Sequence, residues 1–214
     1  GSWTPAELPA AAAGAPVGPL VEAALTAVDG EFDAGTTAFL RRAAGDDQRQ
    51  WDAEFGVAKD VSALGVERNV FRYLPVPVEV RLAGGGEPAE LLRVVLAGHR
   101  AGARPGISAA SEPPAALTRA LGLLGLRAAV ESDGDWAGRM SRLGAVRVRI
   151  VGPGSAAEDA LYAASAGSPD IAVYAGPVLE AGRIEMLPFL HEQAVAITAH
   201  RFGNPDNISH TVFN

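Results

Sequence analysis

Cysteine is absent from this 214-residue sequence, and its absence removes several kinds of chemistry. Without thiols the chain can form no disulfide framework, no thiolate metal site and no thiol redox centre. It also lacks the strongest nucleophile that a side chain offers at neutral pH. The sequence therefore excludes from this chain any mechanism that begins with a cysteine thiolate.

Clustered positive charge is also missing. All but one of the 18 basic residues are arginine, the exception being Lys59; they are scattered, and the formal net charge is −7. Because binding to a phosphate backbone needs a contiguous positive face, nucleic acid is not expected as a partner. No basic residue precedes Arg41, so the alanine-rich opening lacks the positive flank of a signal peptide, and prolines interrupt any membrane span. We expect a cytoplasmic protein.

Familiar catalytic and metal-binding patterns are missing as well. The four histidines show no H-E-x-x-H or similar ligand spacing, and the sequence has neither a G-x-S-x-G elbow nor a P-loop lysine. The carboxylate pairs Asp46-Asp47 and Glu158-Asp159 lie in polar helical contexts, which favour solvated helix faces. We therefore expect no metal site and no catalytic constellation in this chain.

The N-terminal part, residues 1–68, is predicted to form a helical arm. Apolar residues recur at helical spacing from Leu20 to Val28, and Asp33 offers an N-cap to a second helix.

A flap ribbon is predicted in residues 69–90. From Val70 to Leu82 the apolar period changes from about 3.6 to about 2, which indicates an extended chain. Pro75 and Pro77 remove two N–H groups from the same strand edge, which is typical of an edge strand or flap and unlike a central strand. The run Gly84–Gly86 predicts a loose turn, as in a hairpin.

Short strands and helices alternate in residues 91–180. The predicted strands are Leu91–Ala97, Ile107–Ala110, Arg127–Glu131, Val146–Val151 and Ile171–Tyr174, and the predicted helices are Pro113–Leu124, Asp135–Leu143 and Ser155–Ala166. This alternation predicts an α/β fold with a Rossmann-like, doubly wound parallel sheet. Residues 181–214 are predicted to hold a C-terminal strand, Ala194–Ala199, and an interface tail.

A glycine-rich loop lies between the predicted strand Val146–Val151 and the helix after it. Gly152, Gly154 and Ser155 belong to a G-x-G-x-x-A pattern, which can present backbone N–H groups to a dinucleotide pyrophosphate. Pro153 removes one of these donors, and no acidic residue ends the next strand to hold a ribose. Glycine is also favoured in such turns for steric reasons alone, so dinucleotide binding is kept as an alternative.

Arginine and aromatic residues concentrate in two stretches, Leu64–Tyr73 and Leu187–Pro205. This composition suits the desolvated centre of a protein–protein interface. Internal packing of the arm against the sheet is the competing explanation. The residues that we expect at an interface are Arg68, Phe71, Arg72, Tyr73, Glu192, His200, Arg201 and Phe202.

These two stretches, with Trp51–Gly56 and Asp170–Val178, resemble the C-terminal region of bifunctional proline utilization A proteins, over roughly Trp51 to Phe213. The resemblance implies an aldehyde-dehydrogenase-like domain with a Rossmann-like fold and a β-flap, without catalytic residues or a cofactor of its own. It further implies a parent polypeptide that uses FAD to oxidise proline and NAD to oxidise L-glutamate γ-semialdehyde (pyrroline-5-carboxylate). In that family the domain packs on the active dehydrogenase domain and helps to cover the tunnel between the two sites.

The missing cysteine agrees with this resemblance, because aldehyde dehydrogenases attack their substrate with a thiolate. The leading hypothesis is therefore a non-catalytic domain that packs on the catalytic domains of its parent and seals the substrate channel. Two alternatives remain: an NAD-binding domain at Gly152–Gly154, and a dimerisation module that self-associates by strand addition through the flap.

Overall fold

The protein is described by a computed structural model that covers residues 16–62, 67–143, 146–198, 200–201 and 204–205. Two helices, α1 (Pro19–Ala27) and α2 (Ala34–Gln50), come first, and a π-helical turn, Trp51–Phe55, follows α2. Asp33 caps α2 by accepting a 3.0 Å hydrogen bond from the N–H of Thr36, which satisfies one of the free donors of a helix start. The two predicted helices of the arm are confirmed.

The larger sheet has five parallel strands in the order β5-β4-β3-β6-β7. Their bounds are β3 (Val78–Leu82), β4 (Gly106–Ala109), β5 (Ala128–Val130), β6 (Val146–Val151) and β7 (Ile171–Tyr174). The chain starts at β3 in the centre, runs outward through β4 and β5, and then returns to build the other half. This reversal is that of a doubly wound sheet, so the predicted Rossmann-like fold is confirmed.

Helices cover both faces of this sheet. They are α3 (Pro88–Arg100), α4 (Ala115–Leu123), α5 (Asp133–Met140) and α6 (Ser155–Ser165). One apolar core joins α1, α3 and α4 to the face that carries Val78 and Val80, and a second core joins Trp136 and Leu161 to Val148 on the opposite face. The arm helices contribute buried residues to the first core, so they are part of the folded body.

A smaller antiparallel sheet has the order β1-β2-β8, with β1 (Lys59–Asp60), β2 (Glu67–Pro75) and β8 (Leu190–Thr198). β2 and β8 are paired over nine residues, from Glu67↔Thr198 to Pro75↔Leu190. We call this pair of strands, in place of the ribbon predicted in residues 69–90, the flap. A short helix, α7 (Gly182–Glu185), and a 3-10 turn, Leu187–Phe189, lead into β8, and β9 (His200–Arg201) pairs with β10 (Asn204–Pro205).

The prediction of one continuous ribbon from Val70 to Leu82 is wrong. The chain changes sheet after Pro75: β2 belongs to the flap, whereas β3 is the central strand of the larger sheet. Pro75 ends β2 and Pro77 stands before β3, so neither proline interrupts the hydrogen bonds of β3. Gly84–Gly86 lie in the turn from β3 to α3, and the predicted hairpin at this place is also wrong.

The predicted strand Leu91–Ala97 is wrong as well, because these residues lie in α3. Every residue from Leu91 to Gly98 is buried. The charged residue in this stretch, Arg93, is buried with the apolar residues around it, so the stretch has no solvent-exposed face, and the short apolar runs on either side of Arg93 look like those of a strand. The division of the chain into four segments stays a prediction. Among the described residues, no helix is both long and apolar enough to cross a membrane.

The burial of α3 on all sides predicts a large energetic effect for its leucines. Leu92 is fully buried, so Leu92→Ala should lower the free energy of unfolding by about 2–5 kcal/mol. Leu123→Ala is the matched control, because that leucine is 45% exposed and should change stability by only about 0.5 kcal/mol. Urea denaturation followed by circular dichroism measures both, and equal losses would contradict the buried position of α3.

Candidate functional site

The carboxyl ends of β3, β6 and β7 meet at a cleft of about 360 Å³. In a doubly wound sheet this is the place where nucleotides bind, next to the point at which the strand order reverses. The predicted glycine loop lies here: Gly152 and Pro153 line the cleft, and Ser155 begins α6. The position of the loop therefore agrees with the dinucleotide alternative. Whether a pyrophosphate can bind there depends on the geometry and charge of the loop.

The two loops that flank this cleft are in direct contact. A Cβ atom on Gly152 would lie 2.4 Å from the Cα of Gly86, and one on Gly86 would lie 2.8 Å from the carbonyl oxygen of Val151. Gly152 also has a φ of +93°, in the region that favours glycine. Close backbone packing thus accounts for the glycine at position 152 without any ligand.

The charge of the cleft is unfavourable for a pyrophosphate. Glu87 precedes α3, Glu90 lies in its first turn, and Pro88 provides no N–H at the start of that helix. Burial, and then the neighbouring charge of Glu87, raise the pKa of Glu90. Two carboxylates beside the phosphate position would repel an anion. In the part of the chain that the structure describes, no group of three or more His, Asp or Glu side chains is arranged to hold a metal ion.

We expect no measurable affinity for NAD. Calorimetric titration of the chain with NAD should give no saturable isotherm up to millimolar concentration, which corresponds to a binding free energy weaker than about −4 kcal/mol. A dehydrogenase that binds NAD, measured under the same conditions, is the positive control. A saturable isotherm with a submillimolar Kd would restore the dinucleotide alternative.

Beneath the connection that follows β7, an arginine of α3 forms a buried ion pair. Arg93 donates hydrogen bonds of 2.7 and 2.9 Å to the two carboxylate oxygens of Asp47 in α2. It also donates to the carbonyl oxygen of Leu179 at 2.9 Å. Burial raises the pKa of Asp47 to about 7, although Arg93 acts in the opposite direction. Both side chains are almost fully buried, so each depends on the other for its charge.

A second buried arginine, Arg149 of β6, holds the same connection from the other side. Its guanidinium lies 2.9 Å from the Glu185 carboxylate and donates at 2.8 Å to the carbonyl oxygen of Gly176. The other Glu185 oxygen accepts a 2.9 Å hydrogen bond from the N–H of Leu179. The two arginines together fix the chain between β7 and α7.

The prediction that Asp46-Asp47 forms a solvated helix face is wrong for Asp47, which is only 1% exposed. Its burial depends on Arg93, 46 positions away, and no local pattern in the sequence reveals that partner. One general signal was available. Arginine is the basic residue that suits buried bidentate pairs, and this chain uses it almost exclusively.

Removal of Arg93 should have a severe effect on stability. Arg93→Met leaves the Asp47 carboxylate buried without its partner, so the free energy of unfolding should fall by about 3–5 kcal/mol. The control is Arg42→Met, which removes an exposed pair with Glu180 on the same connection and should cost at most about 1 kcal/mol. Urea unfolding at pH 7 measures both, and similar small losses would show that the buried pair is not needed.

Five of the residues predicted for an interface come together on the flap. Arg68, Phe71, Arg72 and Tyr73 lie on β2, and Glu192 lies opposite Tyr73 on β8. His200 and Arg201 lie in β9, for which only the backbone is described, and Phe202 lies outside the described residues.

The aromatic side of the flap packs internally. The ring of Tyr73 meets the rings of Phe55 and Phe71 edge to face, with centroids 4.9 and 5.4 Å away. Its hydroxyl lies 3.4 Å from Glu192, and burial followed by that carboxylate raises the pKa of Tyr73. Internal packing therefore accounts for Phe71 and Tyr73, as the competing explanation held, while a role at an interface stays a prediction.

The other side of the flap carries the two arginines. Arg72 donates a 2.7 Å hydrogen bond to the Gln193 side chain across the strand pair, and Arg68 lies 3.8 Å from Asp60 of β1. In the described residues β8 is the last strand of its sheet, so its outer edge has no strand partner there. An edge of this kind can accept a strand from another domain or another copy.

No protein-family model matches the chain, and no curated protein matches its sequence. Among solved structures, the chain is similar to proline utilization A from Corynebacterium freiburgense, with 29% identity and a TM-score of 0.56 over 88% of this chain. The chain spans only 15% of that protein. The chain is also similar to a betaine aldehyde dehydrogenase from Staphylococcus aureus, solved in complex with NAD+, with 14% identity and a TM-score of 0.45. This match covers 66% of the present chain and 30% of the dehydrogenase.

Proposed function

We propose, from the premise that this chain resembles the aldehyde-dehydrogenase-like domain of proline utilization A, that it is a non-catalytic domain of a larger proline-catabolic enzyme. The premise itself is a confirmed prediction, because the structural likeness covers most of the chain. The chain spans only a small part of that protein, so we propose the oxidation activity for the whole parent polypeptide. The parent would oxidise proline to glutamate through glutamate semialdehyde, with FAD and NAD.

The observation that carries a non-catalytic role is the combination of a missing nucleophile with a crowded cleft. The sequence contains no cysteine to attack an aldehyde. At the carboxyl edge of the sheet, the Gly86 and Gly152 loops touch, and Glu87 and Glu90 line the cleft. Both features support a domain that takes up neither an aldehyde nor a dinucleotide at this edge. The domain therefore serves its parent through its surfaces.

The features of the flap support a role in docking on another domain of the parent. It presents a nine-residue strand edge on β8 together with the arginines Arg68 and Arg72. Arginine beside aromatic rings is frequent at the centres of interfaces. We propose that the flap and the residues that follow it, including His200, Arg201 and Phe202, contact the catalytic dehydrogenase domain of the same polypeptide. In this position they cover the channel that passes the intermediate.

The open edge of β8 also favours a second function, self-association. Two copies of the chain could pair their flaps by strand addition. Sedimentation velocity of the chain separates the two ideas, since a strictly monomeric species at high concentration removes the dimerisation module.

Coupled turnover in the full-length parent tests the sealing role. Arg201→Ala, or deletion of residues 208–214, should slow the conversion of proline to glutamate and introduce a lag, because the intermediate escapes to solvent. The rate of each half-reaction with its own substrate should stay unchanged. Asp159→Asn, at an exposed position of α6, is the control. Coupled kinetics that equal the wild type in the first two variants would refute the sealing role.

A further inference from the structure

We propose that residues 175–186, which we call the strap, act as a positioning device that fixes the flap relative to the larger sheet. The strap begins after β7, lines the cleft at the sheet edge, and ends where the chain turns into β8. The proposal concerns the mechanics of this chain alone, and it holds whatever the flap binds.

Arg149 of β6 links the start of the strap to its end. Arg149 donates to the carbonyl oxygen of Gly176 near the start of the strap and holds Glu185 near its end. Glu185 in turn accepts a hydrogen bond from the N–H of Leu179. Arg149 and Glu185 are both almost fully buried. These contacts close the strap into a loop around one guanidinium, so its two ends cannot move independently.

The middle of the strap rests directly on the backbone of α2. A Cβ atom on Gly182 would lie 2.7 Å from the Cα and 2.8 Å from the amide nitrogen of Asp47. The N–H of Gly182 donates a 2.6 Å hydrogen bond to the Asp46 carboxylate. Only glycine allows this approach, because any side chain would push the strap away from the helix.

The far end of the strap continues into the root of the flap. Met186 and Phe189 are fully buried, and the ring of Phe189 lies so close to α3 that a Cβ on Gly98 would be 2.8 Å from it. The carbonyl oxygen of Phe189 accepts a 2.9 Å hydrogen bond from the N–H of Val76, between β2 and β3. Both long strands of the flap therefore leave the body at one point, which the strap anchors.

Contacts with α2, α3 and β6 hold the strap, whose only regular element is the four-residue α7. We expect the contacts of the strap to open together when the Gly182 contact with α2 is lost. The buried charged groups that hold the strap would then lose their partners and need water. A displacement that starts at the cleft would thus reach the flap through the strap. The same segment lines the cleft and anchors the flap, so the two are mechanically coupled.

Hydrogen exchange measured by mass spectrometry on the chain tests the coupling. Gly182→Ala should detach the strap from α2 and raise exchange by about tenfold in peptides that cover the strap and β8, while peptides of β4 and α4 keep their wild-type rates. The control is Arg42→Gln, which removes the exposed pair with Glu180 on the strap but leaves the Gly182 contact intact. It should leave the flap unchanged.

Faster exchange in the strap with wild-type exchange in β8 would overturn the proposal, since the flap would then keep its place without the strap. If Gly182→Ala unfolds the whole chain, Asp46→Ala decides, because it removes the acceptor of the Gly182 N–H and otherwise only partly exposed contacts with Arg49 and Gln50. The same pattern in the strap and β8 supports the device, and exchange confined to the strap refutes it.

Discussion

Burial of arginine beside a carboxylate is the constraint on which this structure depends. Arg93 with Asp47 and Arg149 with Glu185 are removed from water almost completely, and each charge would be very costly without its partner. Burial raises the pKa of Asp47, and the neighbouring Arg93 acts in the opposite direction. Together the two pairs connect α2, α3, β6 and the strap.

At the cleft on the sheet edge, loops of the chain pack closely against one another. The order of the strands creates the position at which doubly wound folds hold nucleotides. Here the loops of Gly86 and Gly152 pack on each other, and the strap lines the remaining space.

Local sequence rules predicted those parts of the fold whose boundaries are marked by local chemistry. β6, α6 and β7 follow the predicted alternation closely, because glycines separate short apolar segments. The rules failed where distant residues decide the outcome: Arg93 of α3 is buried against Asp47 of α2, and β2 finds its partner β8 more than a hundred residues later. The buried pair of Asp47 and Arg93 was missed for the same reason, since the polar surroundings of Asp47 in the sequence say nothing of Arg93.

Because nearly all basic residues are arginine, the chain can be labelled selectively next to the flap. Lys59 carries the only side-chain primary amine in the sequence. It lies in β1, half-buried, opposite Phe71 at the rim of the small sheet. An amine-selective fluorophore would attach to one side chain, next to the flap, with no need to engineer a labelling position.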